Sequence, residues 1–407
     1  MDSDPRDTLS SWLDDLPSAL DELARNHLTR LRRTVRPAGE AWLWVDGRRL
    51  LAFCSNDYLG LSQHPALAAS ARAAIDRYGI GSGASPLVSG HSEANAALED
   101  ELAAFVGLPR ALYFYAGFAT NAGVIPALVG PGDAIFSDRL NHASLIDGAR
   151  LSKAAIHRYA HADLGALEAA LVAAPNVRRK LVLTDAVFSM DGDTVDLAAS
   201  IALCERHDAL LLVDDAHGFG VRGPQGRGSL AATGCSGAAA SRHVLYMATL
   251  SKSAGVAGAF VAGSSTLVEW LLQKTRSYIF ATAAPALLAE SVRAALRVMQ
   301  AEPSHLARLQ GHIERLRTEL PRAIAGTPWR LLPSDTAVQA LVIGANETAL
   351  AVMRALADEG LWVPAIRPPT VPAGTARLRI ALSAAHTQDD ITTLLTALAR
   401  IAQAQAA

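Results

Sequence analysis

Leu210-Leu-Leu-Val-Asp-Asp-Ala-His-Gly218 and, further along, His243-Val-Leu-Tyr-Met-Ala-Thr-Leu-Ser-Lys252 are the stretches whose reading decides the fold. Each is a short apolar run that stops on a polar loop, which is how a buried strand hands side chains to its carboxyl end. Five similar runs, Ala111-Leu-Tyr-Phe, Ala134-Ile-Phe-Ser, Ala155-Ile-His-Arg-Tyr, Leu181-Val-Leu-Thr and Ala259-Phe-Val-Ala, alternate with alanine-rich helical stretches. The alternation predicts an α/β fold with a mostly parallel, seven-stranded sheet wrapped by helices over residues 61–290. Residues 1–60 read as an arm, with an amphipathic helix region over 9–33 and a hairpin from Trp42 to Phe53 turning at Asp46-Gly47. Residues 291–407 read as a smaller α+β domain: a long helical stretch, apolar runs at Ala337–Ile343, Leu361–Val363 and Arg377–Leu382, and a last helix.

Bulk properties exclude several classes of function. The 407 residues carry a net charge of −2, so there is no general basic footprint for nucleic acid. Arg25, Arg30, Arg32, Arg33 and Arg36 form a local cluster that reads as a solvated helix face. The softest stretch, Ser253 to Val268, is broken by glycine and serine, so no membrane span is expected. Asp2, Asp4, Asp7, Asp14 and Asp15 fit neither a secretory signal nor a transit peptide, and a cytoplasmic protein is expected. Cys54, Cys204 and Cys235 fall in no metal-ligand spacing, which predicts reduced thiols and no metal.

The chemistry gathers at strand ends, where open α/β sheets bind ligands. Of four lysines only Lys252 sits on such a loop; Lys153 and Lys274 fall on helices, and Lys180 begins a strand at its wrong end. Asp214 and His217 end the preceding strand. A pyridinium nitrogen needs a carboxylate partner and a pyridoxal aldehyde needs an amine, so Asp214 and Lys252 together point to pyridoxal 5′-phosphate. His217 is placed to donate to the ring oxygen beside the aldehyde. Ser189 in Val187-Phe-Ser-Met-Asp-Gly is placed to share that oxygen, or equally to serve a turn at Asp191-Gly192. Tyr115-Ala-Gly-Phe-Ala-Thr-Asn121 opens a helical run after a strand, so the amides of Gly117 and Phe118 can face the phosphate along the helix dipole. His142 follows another strand, where it can cover the pyridine ring or, as an isolated histidine, cap a helix.

Ser55-Asn-Asp-Tyr-Leu-Gly, Gly79-Ile-Gly-Ser-Gly, Asp138-Arg-Leu-Asn-His-Ala-Ser-Leu, Val187-Phe-Ser-Met-Asp-Gly-Asp, Val213-Asp-Asp-Ala-His-Gly and Thr249-Leu-Ser-Lys together resemble the α-oxoamine synthases, fold-type I enzymes dependent on pyridoxal phosphate. The match runs from about residue 10 to the carboxyl terminus. The resemblance implies that Lys252 binds the cofactor covalently, Asp214 pairs with its ring nitrogen, His142 stacks on the ring, and Ser189 and His217 contact the phenolic oxygen. It implies that Thr249 binds the phosphate in the same subunit and Thr282 that of the neighbouring one, in a homodimer with shared active sites. Arg379, with Asn56 nearby, would clamp the amino-acid carboxylate; Arg30, with Arg32 as its competitor in register, would lie near the acyl substrate, and Arg367 and Thr370 would line the acyl side.

Within the family, Ala365-Ile-Arg-Pro-Pro-Thr through Ala384-Ala-His386 most resembles one branch, and that resemblance implies L-alanine and a pimeloyl thioester of coenzyme A or acyl carrier protein as reactants. Glycine with an acetyl or succinyl thioester is the nearest alternative. A regulator that borrows the fold would need an added DNA-binding helix-turn-helix, for which the arm is too short and too hairpin-like. Three positions depart from the family pattern: Ala116 replaces a small hydroxyl residue beside the phosphate, Pro86 occupies a spot that varies with the acyl group, and Asn95 stands where a histidine is frequent.

Overall fold

A computed structural model describes residues 12–235 and 242–406. The first helix spans Leu16–Arg25, shorter than the 9–33 expected, and residues 9–11 of that expectation lie outside the described residues. It stops because the Asn26 side chain folds back to donate to the Glu22 carbonyl and His27 takes a left-handed φ of 55°, after which the chain is extended. Strand β1 (Val35–Pro37) then pairs with β2 (Trp42–Val45), and β2 with β3 (Arg48–Ala52). The predicted hairpin turn is present: Val45 faces Arg48, and Asp46 and Gly47 both have positive φ (47° and 86°), as a two-residue turn of the primed kind requires. Beyond what the sequence suggested, β3 pairs in parallel with a strand near the other end of the chain (Leu361–Trp362), so the hairpin is stitched to the C-terminal region.

The seven apolar runs all become strands of one sheet: β4 (Arg110–Phe114), β5 (Ala134–Asp138), β6 (Ala155–Tyr159), β7 (Lys180–Asp185), β8 (Leu210–Asp214), β9 (Val244–Thr249) and β10 (Ala259–Gly263), in the order β4-β10-β9-β8-β7-β5-β6. Only β10 runs against the rest, antiparallel to both β4 and β9. The carboxyl ends of β4, β5, β7, β8 and β9 therefore share one edge. Both faces are packed. Leu211, Val213 and Phe136 join one core while Leu212, Ile135 and Met247 join the other, which is why these strands read as unbroken apolar runs.

The C-terminal third forms a second, four-stranded sheet from β11 (Arg330–Leu331), β12 (Val338–Gly344), β14 (Ala365–Ile366) and β15 (Ala376–Ala381), with Leu361–Trp362 as β13 beside the hairpin. The long helical stretch resolves into Ala286–Ala301 and Ser304–Ala323, parted at Pro303, which cannot supply the amide a continuous helix needs. The two sheets meet at the loop after β7. The Gly192 carbonyl accepts hydrogen bonds from the hydroxyls of Ser334 (2.9 Å) and Thr336 (3.0 Å), and Arg377 on β15 pairs with Asp191.

Gly192 has φ +77°, and a Cβ there would sit 2.1 Å from the Val338 carbonyl oxygen. We expect Gly192→Ala to destabilise the protein by about 2 kcal/mol or more, read from denaturant unfolding followed by circular dichroism. An unfolding curve equal to that of the unsubstituted protein would refute this account of how the loop is seated.

Candidate active site

Strand β8 ends at Asp214, and the next residue, Asp215, is sent by alternation to the opposite face. Asp215 is turned into structure: it accepts the Ser229 amide (2.7 Å), the Ser229 hydroxyl (2.6 Å) and the Tyr246 hydroxyl (2.7 Å). Asp214 faces the shared strand edge, is 3% exposed, and accepts Asn121 Nδ2 at 2.7 Å and the Ala216 amide at 3.0 Å. Asn121 lies four residues after Gly117, on the helix Gly117–Leu128, and the same Nδ2 also donates to Ser144 Oγ at 2.9 Å.

Lys252 enters from the loop after β9, and its amine has no hydrogen-bond partner among the described residues. Burial holds its pKa below the ordinary lysine range; the charges of Asp214 and Asp185 work against this, and that of Arg379 adds to it. His217 is buried, and its pKa falls well below the usual value through burial and then through the charges of Lys252, Arg379 and His142. It is therefore neutral near pH 7. Its Nδ1 is 2.6 Å from the Tyr58 hydroxyl. The Tyr58 hydroxyl has one proton, and when it goes to Nδ1 rather than to Asn56 Oδ1 (3.1 Å) the ring N–H lies on Nε2, able to donate into the site.

His142 serves as the helix cap that one reading of it allowed, and it also reaches the cavity. It caps the helix Ala143–Ser152, with Nδ1 accepting the Ser144 amide at 3.2 Å, and it lines the cavity. Its own amide donates to Asp185 Oδ2 at 2.7 Å. Burial and the neighbouring Asp214 charge push the Asp185 carboxyl well above the usual carboxylate range. Gly117, Phe118, His142, Asp185, Asp214, His217, Thr249 and Lys252, contributed by five loops, enclose a cavity of about 160 Å³. Ala116, at the head of the helix Gly117–Leu128, makes no side-chain hydrogen bond to cap it, so its first amides are free to meet an anion.

Arg379, on β15, stands behind this group. It is 6% exposed; Nε donates to the Ser189 carbonyl at 2.6 Å, and both terminal nitrogens reach Asn56 Oδ1 at 3.2 Å. Asn56 Oδ1 is 3.1 Å from the Tyr58 hydroxyl, which links Arg379 to His217. Unlike Arg377, Arg379 has no carboxylate partner among the described residues. Ser189 thus contributes its backbone carbonyl, whatever its hydroxyl does.

The remaining expected residues stand apart from the cavity. Thr282 is exposed on the single chain, as are Arg30, Arg32 and Thr370. Arg367 donates to the carbonyls of His27 and Thr29, which brings it close enough to Arg30 for that charge, after burial, to lower its pKa. Asn95, unassigned from sequence, completes a capping box with Ser92 and donates to the Ala284 carbonyl at 3.2 Å. Sequence reasoning missed Asn121, Ser144, Asp185 and Tyr58. Asp185 was readable as an acid at a strand's carboxyl end, and Asn121 as the residue one turn beyond Gly117. Tyr58 carries no local signal, because its partner His217 is 159 residues away.

Elsewhere, His64, Glu302 and His305 bring possible ligand atoms within 4.8 Å of one another. His64 Nδ1 accepts the Ala66 amide at 3.3 Å, so the proton of the neutral ring sits on Nε2 and faces Glu302, which describes a helix cap rather than a metal site.

The family model for class I and II aminotransferases matches residues 48–398. The 8-amino-7-oxononanoate synthase of Paracidovorax citrulli is 68% identical over 96% of this chain and 95% of its own length. That of Delftia acidovorans is 65% identical over 97% and 98%. This chain belongs to the 8-amino-7-oxononanoate synthase family. Among solved structures, a serine palmitoyltransferase from S. paucimobilis with bound PLP aligns with a TM-score of 0.89 at 28% identity, over 97% of this chain and 99% of that one. The 8-amino-7-oxononanoate synthase of Francisella tularensis aligns with a TM-score of 0.74 at 28% identity, over 88% and 98%. The fold is that of the fold-type I transferases, and the cofactor is pyridoxal phosphate.

The cavity suits that cofactor on its own terms. It offers an amine without a partner, a buried carboxylate held by neutral donors, and uncapped helix amides beside the Thr249 hydroxyl, which contacts Ser251 Oγ at 2.8 Å.

A depressed lysine pKa leaves more neutral, nucleophilic amine. With one equivalent of pyridoxal phosphate and borohydride at pH 7.5, Lys252 should be labelled ahead of Lys153, Lys180 and Lys274 by peptide mass spectrometry. Asn121→Ala removes a bond to a charged group and should weaken cofactor binding about tenfold. Even labelling across the lysines, or unchanged affinity, would contradict these assignments.

Proposed function

We propose that this protein condenses L-alanine with a pimeloyl thioester to give 8-amino-7-oxononanoate, carbon dioxide and the free thiol carrier, a step of biotin biosynthesis. The observation that carries this reading is Arg379: a buried guanidinium without a carboxylate partner among the described residues, joined through Asn56 and Tyr58 to the edge of the Lys252 cavity. It awaits a carboxylate of the size an amino acid offers, and its planar fork suits two-point binding.

When bound, pyridoxal phosphate supplies the electron sink that stabilises negative charge at the amino-acid α-carbon. The chain's residues do the rest. Asp214, held by Asn121 and the Ala216 amide, would face the ring nitrogen, His142 would cover the ring, and His217 would contact the phenolic oxygen. Arg379 and Asn56 hold the alanine carboxylate, which fixes the Cα–H bond toward Lys252. The neutral Lys252 amine takes that proton and later returns one. The net reaction forms a carbon–carbon bond between the α-carbon and the thioester carbonyl, breaks the carbon–sulfur bond, and releases the alanine carboxylate as carbon dioxide. Burial of the site keeps water from hydrolysing the thioester.

The acyl side belongs to Arg367, Thr370 and Arg30, where the N-terminal segment crosses the C-terminal sheet. Coenzyme A and acyl carrier protein are both anionic, and the cluster of Arg30, Arg32, Arg33 and Arg36 suits either. A homodimer accounts for the apolar side chains left in water near the site: Ile80 (72% exposed), Val88 (79%), Phe118 (50%) and Phe280 (70%). Thr282 is exposed within the same segment as Phe280, in keeping with a role across the dimer. No helix among the described residues is long and apolar enough to cross a membrane, and we assign the protein to the cytoplasm.

Purified protein loaded with pyridoxal phosphate should convert L-alanine and pimeloyl-CoA to 8-amino-7-oxononanoate, detected by mass spectrometry, faster than it makes any product from glycine with acetyl- or succinyl-CoA. A faster glycine reaction would move the protein to another branch of the α-oxoamine synthases. Arg379→Lys should raise KM for L-alanine by about ten- to a hundredfold while the cofactor stays bound, since an ammonium cannot reproduce the fork.

A further inference from the structure

One histidine outside the cavity joins two of the loops that build it. His161 follows β6, a strand that contributes nothing to the cavity lining. Its Nδ1 lies 3.1 Å from both carboxylate oxygens of Asp138, at the end of β5, and its Nε2 lies 2.6 Å from Asp193 Oδ2, in the loop after β7. The ring packs edge-on against Phe188, with centroids 4.3 Å apart. Asp138 is 1% exposed and also accepts the amides of Leu140 and Ala162, each at 2.8 Å. The second oxygen of Asp193 is buried and has no partner among the described residues.

A neutral imidazole has one N–H and can donate to only one of these carboxylates, leaving the other against a lone pair. With two acids, one on each nitrogen, the geometry is that of an imidazolium donating twice. The two acids belong to loops with work to do in the site. Asp138 opens the segment that leads through Asn141 to His142, and Asn141 ties that segment to β7 by donating to the Leu183 carbonyl at 2.8 Å. Asp193 closes the loop in which the Ser189 carbonyl seats Arg379 and Asp191 pairs with Arg377.

We propose that His161 is a positioning residue, a charged strap that ties the His142 loop to the Ser189–Asp193 loop and so keeps the ring-covering imidazole and the carboxylate-binding arginine in register. The proposal rests on the roles given to His142 and Arg379 above. The charged groups facing His161 are Asp138 from β5 and Asp193 from the loop after β7, with Phe188 as the apolar wall. Burial opposes its charge, but the hydrogen bonds and charges of the two carboxylates outweigh this and push its pKa up to about 9. The folded value lies above the unfolded 6.5, so the strap stabilises fully below about pH 6.5 and its contribution disappears as pH rises through about 9.

The test uses holoenzyme of the unsubstituted protein, His161→Gln, which keeps a single neutral donor, and the milder Asp193→Asn. Thermal midpoints are read from pH 6 to 10, cofactor retention by dialysis, and KM and kcat for L-alanine at pH 7.5, well below the unfolding midpoints. The midpoint gap between unsubstituted protein and His161→Gln should be widest near pH 6 and close through about pH 9. Asp193→Asn should bring the alkaline fall to lower pH, because one of the two carboxylates holding the proton is gone. In His161→Gln, KM for L-alanine should rise about tenfold with kcat changed about threefold or less, and the cofactor should leave several-fold faster. A gap that stays constant with pH, or unchanged KM and cofactor retention despite a lower midpoint, would reduce His161 to ordinary packing and overturn the proposal. If the unsubstituted protein makes no product from L-alanine, the proposed reaction fails, while the midpoint series and cofactor retention still decide on the strap.

Discussion

A carboxylate taken out of water must be held by donors that do not neutralise it, and the geometry around Asp214 follows from that constraint. An arginine or lysine in hydrogen-bonded contact would satisfy the charge and leave nothing for a ligand. The fold instead gives Asp214 an amide side chain from the helix Gly117–Leu128 and the Ala216 amide two residues on. Both are neutral. The carboxylate is therefore left without a cationic partner of the protein's own among the described residues, and Asn121, fixed by Ser144 as well, ties the helix Gly117–Leu128 to the strand that bears the acid.

The same economy of charge extends across the site. Lys252, His217 and Asp185 are all pushed toward their neutral forms by burial; neighbouring cations add to this for His217 and a neighbouring anion for Asp185, while for Lys252 the Asp214 and Asp185 charges oppose it. Arg379 remains the fixed positive charge, seated on a carbonyl and an amide oxygen rather than on an acid. A site so arranged can draw an anion to one point and sets beside it an amine biased toward its uncharged form. That pairing is what acid–base work at an α-carbon requires.

Local reading worked where the chemistry lies on consecutive residues of one strand and its loop. Leu210–Gly218, the run ending at Lys252 and the glycine turn at Gly117 each declare both an element and what it delivers, because a strand buried on both faces is apolar throughout and stops where its cargo begins. The turn at Asp46-Gly47 agrees with that reading, whereas the strand order and the reversal of β10 came only from the structure. The first helix was read too long, since nothing in the periodicity of residues 16–33 announces that Asn26 and His27 will close it. Tyr58 and the Ser189 carbonyl that helps seat Arg379 escaped because their partners come from loops far apart in the chain, while Asn56 was expected beside Arg379. His161 escaped because it serves the site without entering it.

By itself the sequence determined the element types, the amine and carboxylate at neighbouring strand ends, and through its motifs the family and cofactor. These depend on short-range patterning, which survives without any knowledge of how the chain is arranged. Only the tertiary structure decided which charges would be neutralised by burial, that Arg379 would lack an acid while Arg377 two residues away pairs with Asp191, and that Asp138 and Asp193 would close on a single imidazole. Those outcomes depend on distances between loops set by strand order and sheet-to-sheet packing, and on removal of water, neither of which a linear pattern carries.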